Sequence, residues 1–259
     1  MLNWDEFQKE LAPIKDYQDL VKRIRVSFGY AFVVERYNLS LPELISYTHR
    51  LLGGDDRGRY AEYEAQLVRI MELLGQAGVH TVLDLKSRTE STEALEAFVR
   101  QSGMDARDIA RVLKYLIYWF IPGEKYLSGL VRDDPETGDA VKILQGIGIR
   151  TNLELLEKGS RSEGRKAMAD ATGLAVEVIT ALVNRADFSR LPWASKATIS
   201  NIIGAGYGSM EKLASANPDQ LYEDFFRYGK SIGKNLKLGN EIENSYRIAK
   251  IIPVLVQKE

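Results

Sequence analysis

Residues 146–156 read GIGIRTNLELL, and how this stretch is read decides the fold. A glycine pair closes one helix and Thr151 opens the next, its hydroxyl suited to accept a hydrogen bond from a free amide of the first turn. Leu155 follows four residues later, on the buried side of that turn and near the apolar residue ahead of the cap, much as in a hydrophobic staple. The stretch is therefore a helical corner. Free amides and the helix dipole at such a corner also favour an anion, so the question is whether it holds a phosphate or only turns the chain.

The corner recurs. LLGQAGVHTVLDL around Gly78 and NIIGAGYGSMEKL around Gly206 share its order of apolar residue, glycine, apolar residue, Ser or Thr, and leucine. A fourth, degenerate copy is LAPIKDYQDL, with Pro13 in the glycine slot, Asp16 in the cap slot and Leu20 in the leucine slot. The register extends further: Gly78 to Gly103 and Gly148 to Gly173 both span 25 residues, and Gly78 to Pro122 and Gly148 to Pro192 both span 44. Self-similarity at a fixed period marks a repeat architecture. Leu67, Ile70, Met71 and Leu74 keep helical spacing, SLPEL at 40–44 is a capping-box start, and no alternating strand pattern is present. The expected fold is all-α, with four repeated units paired into two helical halves. The polar, acidic stretch VRDDPETGD at 131–139 places the division between residues 1–134 and 135–259.

The residues also carry a family resemblance. GIG at 146–148 and GAG at 204–206 resemble helix-hairpin-helix motifs, and AGVHTVLDL at 77–85 is similar to the hairpin in the C-terminal domain of the bacterial RNA polymerase alpha subunit. Residues 138–225, with GRKAMADATGL, LVNRADFSRLP and GSMEKLASANPDQL, resemble an uncharacterised bacterial domain family of tandem helix-hairpin-helix-like units. The resemblance implies paired helical hairpins. Helix-hairpin-helix domains in general imply sequence-independent contact with a nucleic-acid backbone, made by main-chain amides of the glycine turn and a nearby basic residue.

Composition bounds the chemistry. The 259 residues include no cysteine, which excludes disulfides, thiolate metal sites and cysteine nucleophiles. Lys plus Arg (35) balances Asp plus Glu (36), so any polyanion site must be local. The longest apolar run, YLIYWFI at 115–121, is far below the ~20 residues of a membrane span, and a cytoplasmic protein without membrane contact is expected. His49 and His80 are not clustered, no GxSxG or GxxxxGK[ST] match occurs, and neither metal, cofactor nor catalytic site is expected.

Candidate nucleic-acid contacts are Gly146, Gly148 and Arg150 in the best-preserved corner, Gly204 and Gly206 in the last, and Gly78 with His80 in the second. A second candidate is RYGKSIGKNLKLG at 227–239, where Arg227, Lys230, Lys234 and Lys237 have no acid among them. The dense aromatics Tyr115, Tyr118, Trp119, Phe120 and Tyr126 read as core, or else as a partner patch. Two functions follow: a non-catalytic module that binds nucleic-acid backbone, or an interaction or scaffold module that takes a protein partner or a second copy.

Overall fold

The computed structural model describes residues 4–54, 58–131, 135–192, 194–236 and 240–257, with backbone alone at 135, 136 and 240–243. These residues are all-α. No strand occurs among them, and two isolated antiparallel bridges, Ser40 with Thr81 and Tyr126 with Thr151, are the extended pairings present.

The chain divides into two compact units, Met1–Gly123 and Glu124–Glu259. The first holds α1 (Trp4–Leu11), α2 (Tyr17–Ser27), α3 (Ala31–Tyr37), α4 (Leu41–Leu52), α5 (Ala61–Gln76), α6 (Val82–Arg88), α7 (Thr92–Ser102) and α8 (Ala106–Tyr115). The second holds α9 (Pro135–Gly146), α10 (Asn152–Gly159), α11 (Ser162–Thr172), α12 (Val176–Phe188), α13 (Lys196–Gly204), α14 (Met210–Ala214), α15 (Pro218–Ser231) and α16 (Asn240–Ala249). The division falls ahead of the acidic stretch at 131–139. Its physical reason is a backbone ladder, in which Leu127 N–H donates to Arg150 O and Asn152 N–H to Lys125 O, both 2.9 Å, tying 125–127 to the second unit.

Three helix starts recur at one spacing. Helices start at Val82, Thr92 and Ala106 and again at Asn152, Ser162 and Val176, an offset of 70 residues each time. Gly103 (φ 68°) and Gly173 (φ 73°) cap α7 and α11 in the same left-handed conformation, where a side chain would be strained. The leucine of every corner, Leu20, Leu85, Leu155 and Leu213, is fully buried. So are Leu67, Ile70, Met71 and Leu74 along α5, which form the apolar stripe their spacing predicts.

The aromatic stretch is divided by its environment. Tyr115 and Phe120 are buried in the first unit, the Tyr115 hydroxyl accepts from Thr48 Oγ1 at 2.8 Å, and Trp119 meets Tyr60 edge to face at 5.1 Å. Leu116–Phe120 forms a π-helical turn, with Ile121 N–H reaching Leu116 O at 2.7 Å. Tyr126 stands 68% exposed in the second unit.

Candidate functional site

Three corners share one backbone geometry. The amides of Val79, Ile149 and Tyr207 reach back to Leu74 O, Leu144 O and Ile202 O at 3.0, 3.0 and 3.1 Å. The amides of Gly78, Gly148 and Gly206 reach Gly75 O, Gln145 O and Ile203 O at 3.0, 3.1 and 3.0 Å. This is the Schellman pattern, in which a left-handed residue lets the chain fold back onto the last helical carbonyls. The φ values of 80° at Gly78, 82° at Gly148 and 101° at Gly206 explain the glycines. In the first corner the Ala12–Pro13 peptide is cis and Ile14 N–H bonds to Leu11 O at 2.9 Å.

The cap residues act as expected. Thr81, Thr151 and Ser209 accept from the amides of Asp84, Glu154 and Lys212 at 3.1, 3.3 and 3.2 Å, and Asp16 accepts from Asp19 N–H at 2.8 Å. What distinguishes the corners is the residue three places after the cap. At Gly148, Glu154 turns its carboxylate back and accepts from the amides of Arg150 (2.6 Å) and Thr151 (2.9 Å). At Gly78, Asp84 accepts from His80 (3.0 Å) and Thr81 (3.2 Å) in the same way. These amides are the donors a phosphate at the corner would use, and in both corners the protein supplies its own anion. The carbonyls are engaged as well: His80 O accepts from Leu41 N–H and Arg150 O from Leu127 N–H, each at 2.9 Å. The His80 and Arg150 side chains are exposed.

The last corner differs. Lys212 stands in the carboxylate position, so no side-chain anion from α14 covers the amides of Gly208 and Ser209. Gly146 and Gly204, equivalent in sequence, have unlike surroundings. A Cβ on Gly146 would meet nothing within 4 Å, whereas one on Gly204 would lie 2.1 Å from Tyr228 Cζ. Gly204 is thus a packing glycine that admits the Tyr228 ring of α15 against α13. Tyr207 completes this junction: its ring stacks on Phe225 at 6.3 Å and its hydroxyl donates to Asp224 Oδ2 at 3.0 Å. Burial and that carboxylate push the Tyr207 pKa up to about 12. Asp224 also accepts from Gln220 Nε2 at 2.9 Å and pairs with Arg227 at 3.4 Å.

The structure therefore brings Gly204, Gly206, Arg227 and Lys230 onto one assembly of α13, α14 and α15. Lys234 follows α15 directly, with its amide on Gly229 O at 2.8 Å, and Lys237 lies outside the described residues. Gly146, Gly148 and Arg150 form the separate corner between α9 and α10, and Gly78 and His80 belong to the first unit.

Two side chains of the α15 surface escaped the sequence reading. Tyr222 is 57% exposed and Phe226, one turn later, is 46% exposed, with the Lys230 ammonium 4.4 Å from the Phe226 ring centre. The signal was present in LYEDFFRYG: Leu221, Phe225 and Gly229 keep the buried period, which leaves Tyr222 and Phe226 off it. Beside these aromatics the same helix exposes Asp219 and Glu223.

Among the described residues no group of three or more His, Cys, Asp or Glu is placed to hold a metal ion, and no helix is long and apolar enough to cross a membrane. Residues 137–242, which contain the last two corners and α15, match the model of a family described as a domain of unknown function, DUF4332. No curated protein and no solved structure matches the chain.

Proposed function

We propose that this chain is a non-catalytic binding module that docks a protein partner on the exposed edge of α15, with the last corner as its rigid backing. The observation that carries this reading is the pair Tyr222 and Phe226, large, exposed and one turn apart on a helix anchored through Tyr207, Asp224 and Gly204. Aromatic side chains on a rigid element are favoured anchors of protein interfaces. The neighbouring Asp219 and Glu223 repel a phosphate chain but suit a mixed-charge protein rim. The corners at Gly78 and Gly148, whose amides already hold Asp84 and Glu154, support the same choice.

A benzophenone amino acid at position 222 of the full chain, irradiated in cells, tests it. The expected result is a discrete protein adduct that survives nuclease and disappears when Phe226→Asp is added. A nuclease-sensitive adduct, or none, overturns the reading.

One observation favours a nucleic-acid backbone as the second reading: the last corner has no capping-box carboxylate from α14 over its amides and adjoins Arg227, Lys230 and Lys234. This reading expects a fluorescent strand to bind with affinity falling steeply as salt rises, weakened by Lys230→Glu and indifferent to Arg150→Glu.

A further inference from the structure

Within the second unit a cavity of about 390 Å³ lies between α12, α14 and the chain that follows α16. Residues 252–257 run over it and are held by their backbone. Pro253 O accepts from Arg190 Nη1 at 2.9 Å, Gln257 O accepts from Arg165 Nη2 at 3.1 Å, and Gln257 N–H donates to Ser160 O at 2.9 Å. Its lining is mainly apolar, with Met210, Ala214 and Val256 among the walls and Thr180 and Asn184 as polar points. A mostly apolar hollow with a few fixed polar groups is the usual form of a small-molecule site.

The charges around it do not cancel. Arg190 is neutralised by Asp187, whose Oδ1 accepts from Arg190 Nε at 2.7 Å inside the core. The rim carries one exposed residue of each sign, Lys250 and Glu211. Among the described residues Arg165 has no such counterpart. It is 1% exposed, lines the cavity, and has no carboxylate within ion-pair distance among the described residues. Its guanidinium meets carbonyls alone, Gly159 O at 3.1 Å and Ser160 O at 3.3 Å through Nη1 and Gln257 O through Nη2, and its Nε–H is buried without an acceptor. A buried cation left without an anion and with an unused donor is costly, and an anion placed beside it offsets that cost.

We propose that this cavity binds a small organic carboxylate with an apolar body, its head group on Arg165 and its body against Met210, Ala214 and Val256. Nη1 already holds Gly159 O and Ser160 O and Nη2 holds Gln257 O, so a ligand that takes the remaining Nε–H leaves these contacts in place. A single unneutralised guanidinium in an apolar hollow matches a monoanion and not a phosphate dianion, which needs several donors.

The test is thermal unfolding of the full chain with octanoate, octanol, octylamine or inorganic phosphate at matched ionic strength. Octanoate at a tenfold excess over its Kd is expected to raise Tm by about 3 °C or more, and the other three are expected to leave it unchanged. Ala214→Trp fills the hollow without touching a charge and is expected to abolish the shift, as is Arg165→Met wherever that variant folds. No shift with octanoate, an equal shift with octanol, a shift with phosphate, or a shift that persists in Ala214→Trp each overturns the proposal.

Discussion

At Gly148 and at Gly206 the chain turns through the same pair of backbone hydrogen bonds, yet the two corners present different chemistry. The first is closed on itself: Glu154 sits on the amides of Arg150 and Thr151, the Arg150 carbonyl is bridged to Leu127, and nothing crowds Gly146. The second has a lysine where the glutamate would be and is closed from outside, by Tyr228 against Gly204 and by Tyr207 on Asp224. Backbone geometry is thus shared while the availability of donors is not. One side chain three residues after the cap decides whether the amides are engaged locally. One glycine, through what packs on it, decides whether the corner is joined to the helix that carries the exposed aromatics.

The comparison breaks most sharply at the first glycine of each corner. Gly204→Ala is expected to cost about 2 kcal/mol in urea unfolding, because its Cβ displaces the Tyr228 ring. The second glycines test what the corners share. Gly148→Ala and Gly206→Ala are each expected to lose about 1–2 kcal/mol, since both positions need a left-handed residue whatever surrounds them, and unequal losses in unfolding titrations would deny the common geometry.

Removing the internal anion comes next. Glu154→Gln is expected to destabilise the chain by about 1 kcal/mol. If that variant gains no affinity for inorganic phosphate by NMR titration, amide occupancy is not what keeps this corner from binding anions. Installing the missing anion has a smaller effect of opposite sign: Lys212→Glu is expected to stabilise by about 0.5 kcal/mol, by placing a carboxylate over the amides of the last corner. Gly146→Ala is expected to gain a similar amount, about 0.5 kcal/mol, because the site is helical and open. A loss there would show that the two first glycines are not different after all.

Much of this was legible in the chain. Thr81, Thr151, Ser209 and Asp16 cap as their positions imply, and the four corner leucines are buried as their spacing from the cap implies. The carboxylates of Asp84 and Glu154 were equally legible, since Thr-x-x-Asp and Thr-x-x-Glu are capping boxes, and reading them with the glycines sets the corner's amides apart from a free anion site. Tyr222 and Phe226 were half legible, from a buried period they do not share. Arg165 gave no signal, because GRKAM looks like any solvated helix face and its burial arises from Gly159, Ser160 and Gln257, the last of them 92 residues away.

By itself the sequence determined the helical class, the places where the chain turns and the residues that cap each turn. These rest on contacts within about five residues: a left-handed glycine, a hydroxyl on a nearby amide, a leucine one turn after its cap. Tertiary structure decided which glycine is a packing contact, which aromatics are left in solvent and which arginine is buried with no carboxylate among the described residues. Those depend on segments distant in the chain arriving at one place, and neither side of such a contact marks its partner in the local pattern.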